Sequence, residues 1–263
     1  MAIKRCRDER REHDQSALIV CGRFNIIADP LTQLIMSIVN GQLGDISLQD
    51  SYNIAPTDDA PVLLRTEGGE WRMQNMRWWL VPAWSPAPSS KYTMFNAKSE
   101  TLAKSRAFST PFARQRCIVP ASSYYEWRKE ALGPALNGNV ANEKVANEKV
   151  PYLIEPDDEP GFAFAGLWDR WERNGQRIDS CTIITGAAPE SMLSLHHRVP
   201  IHLTKSEVDR WLNLATEPKE LATILSPQLR GPVRVTPVSS YVGNSRHKDA
   251  RCVEPLGDSE IIH

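Results

Sequence analysis

Residues 117–127 read CIVPASSYYEW, and this stretch contains two strand patterns in succession. The first three residues are continuously apolar, which is typical of a buried strand. Residues 123–127 then alternate in character, as side chains on the two faces of a strand do. This alternation predicts two residues on each face, with Tyr124 and Glu126 on one side and Tyr125 and Trp127 on the other.

Strand patterns recur on both sides of this stretch, and helical patterns are fewer. Gly68 and Gly69 between two strand patterns predict a hairpin. Further strands are predicted at residues 61–65, 70–78, 151–154, 162–168, 179–185 and 233–238, the last before an irregular tail. Helices are predicted at residues 30–39, ending at Asn40-Gly41, at 99–108, and after Thr204, which has capping-box spacing to Glu207.

The balance of strands over helices predicts the fold class. Nineteen prolines scattered among short apolar runs favour strands and loops over a helical bundle. We expect one α+β domain, built on a curved, mostly antiparallel sheet or open barrel with a few peripheral helices. Its bounds are 21–255, with tails at 1–20 and 256–263 and a surface loop at 130–150 that contains the duplicated pentapeptide VANEK.

Composition limits the classes of function. The net charge of −1 does not indicate a nucleic-acid binder, although binding needs only a local basic face. Five irregularly spaced cysteines form neither a disulfide framework nor a zinc motif, and the adjacent His196 and His197 lack a third ligand at a recognisable spacing. We therefore predict no metal or cofactor. No signal peptide or run of about 18 apolar residues is present, so a cytoplasmic monomer without membrane contact is expected.

Cys21, in the stretch Val20-Cys21-Gly22-Arg23-Phe24, is the candidate nucleophile. Four later blocks supply the side chains that a reactive thiol would use: FNAKSET at 95–101, RCIVPAS at 116–122, YYEW at 124–127 and HHRVP at 196–200. In this order they resemble the SOS response-associated peptidase (SRAP) family of abasic-site crosslinking proteins. The resemblance extends from about Cys21 to about Glu254 and implies the same fold. It also implies association with the nucleoid when the protein acts on DNA.

The resemblance implies a role for each catalytic candidate. Cys21 as a first residue would form a thiazolidine with the ring-opened aldehyde of an abasic site in single-stranded DNA. Glu126 would be the general acid and base that opens the sugar ring. Asn96 would hydrogen-bond the α-amine or the opened sugar, and His196 would assist proton transfer and contact the sugar or phosphate. Alone, a strand glutamate or a turn asparagine is more often structural.

The family pattern also implies residues that hold the DNA strand. Arg23, Lys98, Arg106 and Arg198 match positions that bind phosphates. Lys98 stands where arginine is common, which keeps the charge and loses the bidentate geometry. Among the tryptophans, Trp78 is predicted in the core and Trp84, beside a proline-rich loop, exposed and able to stack on a base. Trp79 stands where the family usually has glycine.

Twenty residues precede Cys21, yet thiazolidine formation requires its free α-amine. One hypothesis is that translation starts at residue 20, where a GUG codon would be read as methionine and then removed. The other is that the thiol attacks the Val20 carbonyl and the chain cleaves itself. We favour the first, because residues 1–20 are charged and contain none of the motifs.

Two other functions fit the same residues. A cysteine peptidase or autopeptidase would use Cys21, His196 and Asn96 in an arrangement that resembles a Cys-His-Asn triad. A non-covalent binder of single-stranded or modified DNA would use Trp84 and the arginines, and would retain its affinity in a Cys21→Ala variant. Cys117 and Cys181 lie inside apolar strands and are predicted to be buried and inert.

Overall fold

The structure is a computed structural model that describes residues 22–44, 46–66, 68–88, 92–131 and 147–263. The predicted tail at 1–20, Cys21 and most of the predicted loop at 130–150 lie outside these ranges. Within the described ranges, no helix is long and apolar enough to cross a membrane.

Strands form most of the regular structure. They are β1 (Phe24–Ile26), β2 (Ser51–Ile54), β3 (Asp59–Arg65), β4 (Trp71–Trp78), β5 (Asn96–Lys98), β6 (Arg116–Ala121), β7 (Ser123–Ala131), β8 (Asn147–Pro156), β9 (Phe162–Arg173), β10 (Gln176–Ala187), β11 (Arg198–Pro200), β12 (Val233–Pro237) and β13 (Glu260–Ile262). The α-helices are α1 (Ala28–Ile38), α2 (Ser109–Arg114), α3 (Lys205–Leu212) and α4 (Pro218–Ile224).

Five of these strands close a barrel in the order β10-β4-β3-β6-β9, with β9 pairing back onto β10. The pairings within the ring are antiparallel except for β4 with β10, where Trp78 lies beside Cys181 in a parallel register. The short strand β5 also runs parallel to β10, and β11 extends the sheet on the other side. The predicted α+β class is confirmed, and the barrel is closed.

A six-stranded antiparallel sheet, in the order β13-β12-β8-β7-β1-β2, packs against the barrel. The rings of Tyr124 and Phe162 meet edge to face at 5.6 Å, which joins the inner face of β7 to β9. On the other face, Tyr125 and Leu153 belong to a separate apolar cluster with Val242. The predicted separation of Tyr124 from Tyr125 is therefore confirmed, and Glu126 lies on the inner side of the sheet.

Several local predictions are also confirmed. The Gly68-Gly69 turn joins β3 to β4, and Gly69 has a φ of +81°, which glycine adopts without strain. The helix predicted at 30–39 is α1, and the chain leaves it through left-handed backbone at Asn40 and Gly41. The Thr204 and Glu207 side chains form both hydrogen bonds of the capping box.

Other local predictions are wrong. The helix predicted at 99–108 is a 3₁₀ helix over Ser99–Lys104, because Ser105 adopts an extended conformation that ends it before α2 begins. The segment 256–263, predicted as an irregular tail, contributes β13, where Ile262 lies opposite Val233 of β12. Both ends of the predicted loop at 130–150 are strand, since β7 continues to Ala131 and β8 begins at Asn147.

Candidate functional site

Glu126 lies on the inner face of β7 and is only 3% exposed. Its strand pairs with β1, where Phe24 lies opposite Tyr124. The backbone N–H of Tyr125 donates to the carbonyl of Arg23 at 3.0 Å, which continues this pairing by one residue. Opposite residues of an antiparallel pair share a face, so the same register places the buried Gly22 beside Glu126. Cys21, the preceding residue, lies outside the described part of the chain.

Asn96 begins β5 and is connected to β1 by three aromatic rings. Phe24 meets the Trp78 ring at 4.9 Å, and Trp78 meets Phe95 at 5.6 Å, both edge to face. The indole N–H of Trp78 also donates to the Phe95 carbonyl at 2.9 Å. Since Phe95 directly precedes Asn96, these contacts hold the first residue of β5 on the same side of the core as the start of β1. Trp78 is fully buried, as predicted.

Lys98 and Arg198 lie on β5 and β11, the two short strands that flank β10 near Thr185. Lys98 lies beside Thr185 in the parallel pairing, and Arg198 donates to the Thr185 carbonyl at 2.6 Å. The Arg198 guanidinium also holds both carboxylate oxygens of Glu100 at 3.0 Å. This hydrogen bonding lowers the pKa of Glu100. Two of the predicted phosphate-binding cations thus lie on either side of β10, and Glu100 fixes the orientation of Arg198.

His196 precedes β11 and stays close to Arg198. Its Nδ1 lies 3.2 Å from the backbone nitrogen of Arg198 and 3.3 Å from the Arg198 carbonyl oxygen, so the Arg198 backbone engages Nδ1 in either neutral tautomer. Its ring stacks on His197 with 4.2 Å between centroids. Burial, followed by the neighbouring His197, lowers the pKa of His196. The neutral imidazole is therefore the form present near neutral pH.

Trp84 and Arg106 form a separate pair beyond the 3₁₀ helix. The guanidinium of Arg106 lies 4.2 Å from the centroid of the Trp84 ring, and the indole N–H donates to the Arg106 carbonyl at 3.2 Å. Trp84 is 46% exposed, so the prediction that it is accessible is confirmed. The pair presents a cation and an aromatic face side by side.

Arg23 lies apart from the other predicted phosphate-binding residues. Its side chain points to the outer face of the sheet, where it donates to Asn53 Oδ1 at 3.1 Å and to the Val242 carbonyl at 2.8 Å. A longer bond of 3.4 Å reaches the Gly243 carbonyl. Burial lowers its pKa from the ordinary arginine value. In the described part of the chain, Arg23 therefore binds other protein groups, and it does so on the face of the sheet opposite to Glu126.

A polar cluster that is not among the predicted site residues lies on the inner face of the same strand as Glu126. Arg128 and Glu130 follow Glu126 at intervals of two, and both hydrogen-bond the phenol of Tyr152. The Tyr152 hydroxyl, followed by Arg128, holds the pKa of Glu130 below its usual range, and burial raises the pKa of Tyr152 to about 12. Tyr152 lies directly opposite Glu126 in the pairing of β7 with β8. Continuing the two-residue alternation past Trp127 would have indicated Arg128 and Glu130.

Three cysteines lie in the described part of the chain. Cys117 and Cys181 are fully buried, and burial raises the pKa of each thiol. Both are buried, as predicted, and the raised pKa disfavours the reactive thiolate. Cys252 is also buried and forms no disulfide. Among the described residues, no group of three or more histidine, cysteine or acidic side chains could hold a metal ion.

The candidate catalytic groups lie on the inner face of β7 and on the neighbouring strands β5, β10 and β11. A buried carboxyl lies beside Gly22, an amide starts β5, and a neutral imidazole adjoins Arg198. This arrangement is suited to proton transfer next to a bound anion.

Comparison with known proteins gives one family over most of the chain. The model of the family described as SOS response associated peptidase (SRAP) matches residues 20–245. The chain is 31% identical over 237 residues to the abasic site processing protein YoqW of Bacillus subtilis, covering 89% of this chain and 99% of that protein. It is 29% identical over 227 residues to the abasic site processing protein HMCES of Gallus gallus, covering 78% of this chain and 66% of the relative.

Solved structures show a similar fold. A protein from Bacteroides thetaiotaomicron superposes with a TM-score of 0.71 at 25% identity, covering 90% of this chain and all of the other. A protein from Bordetella bronchiseptica gives a TM-score of 0.64 at 22% identity, covering 83% of this chain.

Proposed function

The chain belongs to the SOS response associated peptidase family, and from this premise we propose that it acts in DNA repair by capping abasic sites covalently. The substrate would be single-stranded DNA that carries the ring-opened aldehyde of an abasic deoxyribose. Cys21, as the first residue of the mature chain, would be the nucleophile. The relatives named as abasic site processing proteins support this assignment.

An amino-terminal cysteine is matched to an aldehyde because it carries two nucleophiles on adjacent carbons. Its α-amine has a pKa of about 8, whereas a lysine amine has one of about 10.4, so far more of the α-amine is unprotonated at neutral pH. The amine would add to the aldehyde carbon and lose one water to form an imine. The thiol would then add to the imine carbon and pass its proton to the nitrogen, closing a five-membered thiazolidine.

The observation that carries this proposal is the position of Glu126 beside Gly22. One peptide bond separates Gly22 from Cys21, and consecutive Cα atoms are about 3.8 Å apart. A buried carboxyl in this position would protonate the sugar ring oxygen as the ring opens. It would then take and return the proton during loss of water and closure of the thiazolidine.

Asn96 and His196 would hold the reacting sugar. The amide of Asn96 can donate to the opened sugar or accept from the α-amine, which would fix the geometry of attack. His196, neutral near pH 7, would contact the sugar or its phosphate through Nε2, because the Arg198 backbone engages Nδ1. Lys98 and Arg198 would bind the adjacent phosphates. The exposed ring of Trp84, backed by Arg106, would stack on an unpaired base.

The orientation of His196 supports crosslinking over a cysteine peptidase. In a Cys-His-Asn triad, the amide of the asparagine orients the imidazole through the nitrogen that faces away from the thiol. Here the backbone of Arg198 engages Nδ1 of His196, so Nε2 alone is left and cannot serve the thiol and the asparagine together. The autopeptidase reaction at the Val20 carbonyl remains the alternative route to a free Cys21 amine.

Intact mass spectrometry would test the proposal. Protein that begins at Cys21 is incubated with a single-stranded oligonucleotide containing one abasic site. We expect a species with the summed mass of protein and DNA less one water, and no such species from Cys21→Ala. A second sample that retains residues 1–20 tests the need for the free α-amine and should give no stable adduct.

An oligonucleotide with a tetrahydrofuran analogue at the abasic position is the matched control. It has the same shape and charge but no aldehyde, so it should bind without an adduct. A stable adduct with this analogue, or an undiminished adduct from Cys21→Ala, would contradict the thiazolidine mechanism.

A further inference from the structure

An open groove lies on the barrel between the β3–β4 turn, β9 and the ends of α2 and α3. Its volume is about 1620 Å³. We call it the arginine groove, because six arginines line it: Arg65, Arg72, Arg106, Arg114, Arg116 and Arg170. Among the residues that the structure describes, two carboxylates, those of Asp169 and Asp209, are in the lining.

Half of these arginines are engaged within the protein. Arg65 pairs with Asp209 at 2.6 Å, and Arg170 pairs with Asp179 at 2.7 Å. Arg116 is buried and donates to three backbone carbonyls, those of Phe112, Trp211 and Asn213.

The other three arginines supply the free charge of the groove. Arg72, Arg106 and Arg114 are exposed, and none has an ion pair within the described part of the chain. Asp169 forms no ion pair with them, and its buried carboxylate accepts the backbone N–H groups of Ala83 and Arg170, each at 2.8 Å. Because six arginines face two carboxylates, the described lining of the groove is positively charged.

Size and aromatic content indicate what kind of anion fits. Pockets that enclose small ligands have volumes of about 300–1,000 Å³, and this groove is larger and open. Trp84 and Trp168 also line it. Cations that follow a backbone, combined with aromatic rings on which bases stack, are the features of surfaces that bind single-stranded nucleic acid.

A short helix connects the groove to the candidate crosslinking site. The 3₁₀ helix Ser99–Lys104 leads from Lys98 towards Arg106, and six residues of such a helix span about 12 Å. Arg106 is the groove residue nearest to this helix along the chain, and Trp84 is in contact with Arg106.

We propose that the arginine groove binds the phosphodiester backbone of the single strand beyond the crosslinking site, with Arg72 and Arg114 as phosphate contacts. This inference rests on the proposed function, because it extends the path of the same DNA strand. The strand would pass Lys98 and Arg198, cross the Trp84–Arg106 pair and enter the groove.

Binding of undamaged DNA by full-length Cys21→Ala protein tests the groove without any crosslinking. Affinities are compared for oligonucleotides of about 4 and about 16 nucleotides, the range of site sizes for single-strand binding modules. In the parent protein, we expect affinity to rise with length. In Arg72→Gln/Arg114→Gln, most of this gain should be lost. At roughly 0.1 M salt the longer strand should bind about 20-fold more weakly, and the slope of log affinity against log salt should decrease by about 1.4.

Lys129→Gln/Lys149→Gln is the matched control. Lys129 and Lys149 are exposed, lie opposite each other on β7 and β8 and do not line the groove. This variant removes the same charge, so an equal loss of affinity would assign the effect to net charge and overturn the proposal.

Two other results would also overturn the proposal. One is an unchanged dependence of affinity on DNA length in the arginine variant, and the other is displacement of the DNA by polyglutamate of equal charge at equal concentration. If the groove variant behaves as expected while no adduct forms with abasic DNA, only the proposed function fails.

Discussion

Arg23 donates to the backbone carbonyl of Val242 at 2.8 Å, across 219 positions of the sequence. The residue after Cys21 and Gly22 is thereby tied to a segment near the other end of the domain. Asn53 strengthens the connection, because its amide nitrogen lies within 3.1 Å of the carbonyls of Val242, Asn244 and His247. The C-terminal segment thus holds the strands next to the candidate nucleophile in place.

Asn53→Ala should destabilise the protein by about 2–4 kcal/mol. Asn53 is fully buried, and its removal takes away one acceptor of Arg23 and the amide donor that lies beside the carbonyls of Val242, Asn244 and His247. Urea unfolding at neutral pH measures the change. Asn75→Ala, an exposed asparagine on β4, is the control and should stay within about 0.5 kcal/mol of the parent protein. Equal stabilities of the two variants would show that the connection contributes little.

Trp84→Ala should weaken non-covalent binding of single-stranded DNA by about 1–3 kcal/mol, the usual loss when a stacked base loses its aromatic partner. Trp84→Phe should retain part of the affinity, since a smaller ring still offers a stacking face. Fluorescence anisotropy with undamaged DNA, in a Cys21→Ala background, measures both. Leu256→Ala removes another exposed apolar side chain and should have no effect. Equal affinities of Trp84→Ala and the parent would exclude a stacking role.

Around Glu126, the local sequence pattern predicts the direction of side chains and does not predict contacts between distant segments. The two-residue alternation of 123–127 correctly places Glu126 and Tyr124 on the inner face, because side-chain direction in a strand is a local property. The Gly68-Gly69 turn and the capping box of Thr204 are local as well. Contacts between distant segments are different: nothing near Arg23 in the sequence indicates that it binds Val242, and nothing near Arg198 indicates Glu100.

The same distinction explains the errors in the predicted elements. Strand β13 is three residues long and exists because it pairs with β12, so its own sequence carries little signal. Closure of the barrel depends on the parallel pairing of β4 with β10, whose strands are about a hundred residues apart in sequence. Recognition of the family motifs compensates for part of this, because their order implies a shared fold.

The stability of the protein should fall as the pH decreases from about 6.5 to 4, in part because of His202. Burial, followed by the nearby Arg230, lowers its pKa to about 4. The unfolded state, with an ordinary histidine pKa, therefore binds the proton first, and protonation favours unfolding throughout this interval. A shift of about 2.5 units corresponds to roughly 3 kcal/mol that is present above pH 6.5 and lost by pH 4.

His202→Asn should flatten this pH dependence. The amide can still accept the backbone N–H of Ala163, which Nδ1 of His202 accepts at 3.2 Å, but it does not titrate. Urea unfolding at pH 7 and pH 4.5 measures the difference between the variant and the parent. His263→Asn, at an exposed position, should leave the dependence as it is. A parallel loss of stability in His202→Asn and the parent would assign the effect to other groups.

Glu126→Gln should slow formation of the abasic-site adduct by about 10²–10⁴-fold, the usual contribution of a positioned general acid or base. Glutamine has nearly the same shape and retains an acceptor oxygen, so the buried site next to Gly22 stays filled while proton transfer is lost. Because the reverse reaction uses the same proton transfers, release of preformed adduct should slow as well. Affinity for the tetrahydrofuran analogue, which reports binding alone, should be unchanged within about twofold. Glu172→Gln, at an exposed position near the end of β9, should react at the parent rate. Loss of analogue binding together with adduct formation in Glu126→Gln would make Glu126 a structural residue, and an unchanged rate would move the acid and base to another group.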